Sequence, residues 1–256
     1  MSRIGKAFEN KKAFIAFVTG GDPDINTTEK LIFAMEKAGA DLIEIGIPFS
    51  DPVAEGVVIQ DADERALKAG CTTDKLFDMV KRVREKTELP LVFMTYLNPI
   101  YTYGKEKFMK NCKESGIDGV IVPDMPYDEK EELEPTCDKY GLDLISMIAP
   151  TSDERVTMIA KEAKGFLYCV SSLGVTGVRS QISSDIGNLV ERVKEVTDIP
   201  CAIGFGISTP EQAREMAKIS DGVIVGSAIV KIVARYGKRS PKYVAKYIAE
   251  MKKELD

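Results

Sequence analysis

Glu44, Asp51 and Glu55 are the residues whose types and spacing point first to chemistry. Glu44 sits inside an apolar run, LIEIGI at 42–47, of the kind a buried strand uses. An unpaired carboxylate is costly to bury. Burial also raises its pKa toward the range where it can both give and take a proton near neutrality. General acid–base catalysis is one reason to keep such a group, and a structural ion pair is the other. Asp51 and Glu55 follow in a loop containing Pro and Gly, PFSDPVAEG at 48–56. Acids there serve either as turn formers or as site residues.

The chain contains no histidine. That excludes Ser-His and Cys-His nucleophiles, His-ligated metals and imidazole bases, so acid–base work falls to carboxylates, Lys, Tyr or Cys. The five cysteines, at 71, 112, 137, 169 and 201, include no CxxC pair. They read as reduced, mostly buried thiols, with no disulfide framework and no metal site.

A second constellation lies late in the chain. Glycines recur after three apolar runs: GVTG at 174–177, GFGIS at 204–208, and Gly226-Ser227 opening into AIVK at 228–231. Glycine lets backbone N–H groups approach an anion closely, and a helix N-terminus adds positive dipole. Tight turns are the plain alternative for each glycine alone. Together they predict a phosphorylated small substrate gripped by backbone amides around Gly177, Gly206 and Gly226, with Ser227 as a side-chain donor.

These residues need a scaffold. Eight short apolar runs, at 14–19, 42–47, 91–95, 119–122, 142–148, 166–170, 201–205 and 222–225, read as buried parallel strands. Helical patterns follow them at 27–38, 73–86, 105–114, 128–139, 153–163, 186–196, 210–219 and 228–235. Thr72 or Thr73 is a candidate cap of the second, and Ser208 or Thr209 of the seventh, ahead of Pro210 in a first turn that tolerates it. This alternation predicts one α/β domain over 1–256, a (β/α)8 TIM barrel with an extra N-terminal helix and mobile loops after strands 2 and 6. A doubly wound open sheet is the rival, weakened because no GxGxxG opens a helix after the first strand. In a barrel the active site lies at the C-terminal strand ends, where the 48–56 loop, Tyr96 and Asp124 all fall.

The 256-residue chain carries a net charge of −5 and no basic run, which argues against nucleic-acid binding. No window approaches a membrane span, and MSRIGKAFENKKAF has no apolar core long enough for a signal peptide. A cytoplasmic protein is expected.

The segment LIEIGIPFSDPVAEGVVIQ at 42–60 closely resembles the signature of the tryptophan synthase α-subunit family. The resemblance runs on through FVTGGDPD at 17–24, MTYLNPIYTYG at 94–104, VPDMPYDE at 122–129, GVTG at 174–177, GFGISTPEQ at 204–212 and GSAIVKI at 226–232. It implies a barrel that cleaves indole-3-glycerol phosphate to indole and glyceraldehyde 3-phosphate. The chain itself would need no cofactor, pyridoxal phosphate being expected only in a β-subunit partner within an α2β2 complex.

By that resemblance Glu44 would protonate indole C3 and then accept the glyceryl hydroxyl proton. Glu55 stands where the family usually carries an aspartate that hydrogen-bonds the indole N–H. Val57 and Val58 also depart from the family pattern. A glutamate reaches roughly 1 Å farther, and a misplacement of that size can cost on the order of 100-fold in rate. Phe17, Met94, Ile121, Met147, Tyr168, Phe205 and Ile224 match the positions that sandwich the indole. Tyr96 would be a polar neighbour of the reacting side chain and Thr176 a further substrate contact. Asp124 would order the site. The 48–56 loop and the 175–185 segment would form a lid signalling to the partner, with Pro48 and Asp51 at the contact.

Two other readings stand beside this one. Ribulose-phosphate epimerases, phosphoribosylanthranilate isomerases and indole-glycerol-phosphate synthases share the fold class but commonly use His, Cys or Lys at strand ends. A low-turnover, ligand-binding subunit that activates a β subunit would fit the Glu55 departure.

Overall fold

The computed structural model describes residues 2–150, 152–170, 179–204 and 206–255, without the side chains of 179–184. Nine parallel strands form one sheet: β1 Ala13–Thr19, β2 Leu42–Gly46, β3 Leu91–Met94, β4 Gly119–Ile121, β5 Asp143–Ile145, β6 Met147–Ile148, β7 Leu167–Val170, β8 Cys201–Gly204 and β9 Gly222–Val225. Their order is β5-β4-β3-β2-β1-β9-β8-β7-β6. β5 and β6 are the two ends of that order, and only Ser146 separates them in the chain. The ring therefore closes through the fifth apolar run, which breaks into two short strands where a single one was expected. Asp143 reaches back to Asp118 and Tyr168 reaches Ser146, each through a 3.0 Å backbone hydrogen bond.

The helices are α1 Arg3–Ala7, α2 Ile25–Lys37, α3 Val57–Lys68, α4 Thr73–Arg84, α5 Leu97–Tyr103, α6 Lys105–Ser115, α7 Glu134–Tyr140, α8 Asp153–Glu162, α9 Arg179–Val196, α10 Pro210–Ile219, α11 Ser227–Tyr236 and α12 Ser240–Lys252. Thr72 caps α4, and Thr209 with Gln212 forms a capping box on α10 behind Pro210. The helix expected over 128–139 divides into a 3-10 turn, Tyr127–Glu132, and α7.

Three helices lie outside the expected set. α3 buries Ile59, Ala62, Asp63 and Ala66. A charged residue on the inner face and two small alanines mute its apolar stripe. α5 is one short segment between β3 and α6. α12 buries Val244, Ile248 and Met251 but is an addition to the eightfold repeat.

Strand parity sorts the core into two layers. Phe14, Ala16, Val18, Ile43 and Ile45 face outward to the helices. Ile15, Leu42, Val92, Ile121, Ala202 and Ile224 face the lumen. Burial on both faces explains why the runs lack alternation. Ile4 and Ala7 of α1, with Phe8, join the inner layer and plug the N-terminal end of the barrel. All five cysteines are buried and free. Among the described residues no helix is long and apolar enough to cross a membrane.

Candidate active site

The lumen opens at the C-terminal strand ends, and β2 carries Glu44 into it. Parallel register sets Glu44 between Phe17 of β1 and Val92 of β3. Glu44 is fully buried, and neither carboxylate oxygen has a hydrogen-bond partner among the described residues. Burial alone pushes its pKa up to about 8. Among the described residues no cation compensates the charge, which speaks against the ion-pair alternative. What stands in the lumen is a protonated carboxyl at neutral pH, poised to donate.

Apolar side chains surround it. Ile121 and Ile224 belong to the inner layer, with Met94, Met147 and Tyr168 packed against it. Phe17 packs with Met94, Ile59, Ala62 and Val230. Two strand-end glycines make room: a Cβ at Gly46 would lie 2.7 Å from the Phe17 ring, and one at Gly204 would lie 2.5 Å from the Tyr168 ring and hydroxyl. Burial first, and the neighbouring Glu44 carboxyl second, raise the Tyr168 phenol pKa well above the usual value. Thr19, also inward, holds a buried hydroxyl without a partner among the described residues and sits opposite Gly46. The sequence reading passed over Thr19, although its even spacing from Phe17 placed it on the same face. Thr176, Gly177 and Phe205 lie outside the described residues.

The loop after β2 forms the rim. Pro48 is buried, while Asp51 is exposed beside the Ser50 hydroxyl that donates to it. Phe49 packs on Tyr96, with ring centroids 5.6 Å apart. The Ala54 N–H donates to the Tyr96 hydroxyl at 3.0 Å, and Gln60 donates to the Glu55 carbonyl at 2.7 Å. Tyr96 itself is held by its place ahead of α5, whose first N–H, from Leu97, donates to Asp124 at 3.0 Å. Asp124 thus orders the rim. Burial lifts the Tyr96 phenol to about 12.

Glu55 is half-buried, and burial raises its pKa against weaker opposing hydrogen bonds from Asp63 and Tyr96. Asp63, on the inner face of α3, is lifted to about 8, by burial first and then by the facing Glu55. Asp22, after β1, is buried and bound in a two-pronged pair by Arg65, at 2.9 and 2.8 Å. Asp63 and Arg65 lie on α3, a helix outside the expected set, because Asp63 and two alanines mute its apolar stripe.

The expected anion grip falls on the neighbouring α11, whose Val230 packs with Ile59 and Ala62 of α3. Gly226 precedes α11 without any side-chain cap, so the N–H groups of the first turn, beginning at exposed Ser227, lack an internal partner. A Cβ at Gly226 would lie 3.5 Å from Phe17, which puts this helix end next to the apolar lumen. Gly206, beyond β8, takes a left-handed φ of 72°. The 175–185 segment lies outside the described residues as far as 178. From Arg179 onward it is the start of α9 rather than loop.

The sequence profile described as Tryptophan synthase alpha chain matches residues 5–256. This chain belongs to that family. The tryptophan synthase alpha chain of Lacticaseibacillus casei is 47% identical over 256 residues, spanning 100% of this chain and 96% of the relative. That of Lactiplantibacillus plantarum is 48% identical over 257 residues, spanning 100% and 97%. Among solved structures, tryptophan synthase subunit alpha from Legionella pneumophila superposes with a TM-score of 0.90 at 36% identity, covering 100% of this chain and 99% of that one. The α chain matched in the Pyrococcus furiosus tryptophan synthase α2β2 complex gives 0.87 at 37%, covering 95% and 99%. The TIM-barrel fold of this family accounts for the ring of strands and the surrounding helices.

Proposed function

We propose that this chain is the lyase subunit of a tryptophan synthase, cleaving indole-3-glycerol phosphate to indole and glyceraldehyde 3-phosphate beside a β subunit in an α2β2 complex. The observation that carries this reading is Glu44: an unpaired carboxyl, protonated at neutral pH, in an apolar lumen. Membership in the family supplies the substrate.

The flat indole lies between Phe17, Met94, Ile121, Met147, Tyr168 and Ile224. The phosphate of the substrate sits on the α11 N-terminus at Gly226 and Ser227, with Gly206 nearby. Glu44 gives its proton to indole C3, becoming a carboxylate in a site that disfavours charge. It then takes the glyceryl hydroxyl proton as the C–C bond breaks. One carboxyl with a pKa near the working pH performs both steps. Glu55 accepts the indole N–H and pushes electron density toward C3. The exposed rim at Asp51, with Pro48 behind it, faces the β subunit. Pyridoxal phosphate belongs to that partner, and this chain uses no cofactor. The protein works in the cytoplasm.

Indole release by the purified chain, with and without a β subunit, tests the reading. Release that rises with the β subunit and disappears in Glu44→Gln is the expected result. Substrate binding with no indole under either condition overturns it and leaves a ligand-binding subunit, the reading that the Glu55 departure would fit.

A further inference from the structure

We propose that Asp63 is a positioning residue for Glu55: the two carboxyls share one proton, which Asp63 donates, and this holds the Glu55 carboxylate at the rim of the barrel. The proposal rests on the reading of Glu55 as the acceptor of the indole N–H.

Three clamps converge on Glu55. Tyr96 fixes the backbone on one side through the Ala54 N–H, and Gln60 fixes the Glu55 carbonyl itself. The side chain is longer than an aspartate and would otherwise be free to swing. Asp63 meets it from α3, within hydrogen-bonding reach. Glu55 Oε2 is buried with no standing donor, so a proton on Asp63 supplies what is missing.

Two neutral donors reach the pair besides that proton, the Tyr96 hydroxyl on Glu55 and the Phe49 N–H on Asp63. Facing Asp63 are Glu55, Asp22, the Cys71 thiol and the Phe49 backbone N–H. Facing Glu55 are Asp63 and Tyr96, and facing Tyr96 are also Asp124 and the Ala54 N–H. Arg65, the nearest guanidinium in sequence, is committed to Asp22 through both prongs. Two carboxylates in such a place cannot both ionise near neutrality. The pair therefore carries one proton and one negative charge. Above pH about 8 Asp63 loses its proton, the two charges repel, and Glu55 is driven off its position.

The experiment follows indole release against pH for the wild-type α2β2 complex, Asp63→Asn and Asp63→Ala. It is joined by an infrared difference spectrum of wild type minus Asp63→Asn at neutral pH. Asparagine donates without titrating. Alanine is expected to lower kcat/KM by about 100-fold and asparagine to stay at least about tenfold above it. The alkaline limb is expected to fall with one ionisation in Asp63→Asn, that of Glu44, where the wild type falls with two. The difference spectrum should show a protonated carboxyl in the wild type only. Equal losses in both variants, an unchanged limb, or no carboxyl band would each overturn the proposal. A band from a wild-type protein that releases no indole would overturn the lyase reading, and with it the catalytic role of the pair, while upholding the shared proton.

Discussion

The Tyr168 ring occupies the space in which a side chain at Gly204 would begin, 2.5 Å from its Cβ position. Tyr168 also senses the charge of Glu44. Any side chain on the last residue of β8 is thereby coupled to the buried Glu44 carboxyl, three strands away around the lumen.

Gly204→Ala is expected to displace Tyr168, costing about 1–3 kcal/mol of stability through overpacking and lowering kcat/KM. A smaller residue at 168 relieves the clash. The double variant Gly204→Ala with Tyr168→Leu should be more stable than the sum of its single changes. Urea unfolding of the four proteins measures this, and strict additivity would count against the contact.

Glu44→Gln should be inactive yet more stable at alkaline pH. The folded pKa of about 8 lies above the ordinary 4.5. The folded state therefore holds a proton that the unfolded chain has released, and stability falls as pH rises from about 4.5 to about 8. Below that window Glu44 costs nothing, and above it the cost is full, on the order of several kcal/mol. Glutamine removes the decline. Denaturation at pH 5 and pH 8 should show the variant gaining on its parent at the higher pH, and an equal gap at both would refute the assignment.

Ser227→Asp places a carboxylate in the first turn of α11, whose start has no side-chain cap. The helix dipole favours this by about 0.3–1 kcal/mol. A phosphate group at the same N–H groups is repelled. Thermal stability should hold or rise while KM for the phosphorylated substrate increases at least about tenfold. An unchanged KM would move the phosphate elsewhere.

Arg65→Met leaves the buried Asp22 without its two-pronged partner. Arg65 is partly exposed, so the loss is expected at about 2 kcal/mol, short of a fully buried pair. The damage should spread to catalysis, because Arg65 fixes α3, which carries Asp63. Unfolding free energy and kcat/KM should fall together, and lost stability with full activity would separate α3 from the rim.

The strands were open to inspection in the sequence for a simple reason. A parallel strand buried on both faces must be apolar throughout, so Glu44 stood out against LIEIGI. Glycines where the backbone approaches another group closely were visible in the same way. α3 was hidden because its inner face uses Asp63 and two alanines instead of large apolar residues. The fifth run read as one strand because Ser146 is unremarkable until the ring must close there.

The sequence by itself determined the eightfold alternation, the absence of imidazole chemistry and the presence of one acid inside an apolar strand. These follow from local periodicity and residue type, which neighbours along the chain already specify. Only the tertiary structure decided that Glu44 has no cation beside it among the described residues, that Tyr168 and Gly204 share one space, and that Asp63 faces Glu55 from a helix. Charge compensation and close approach depend on which elements the closed ring brings together, and that is set by three-dimensional packing rather than by spacing along the chain.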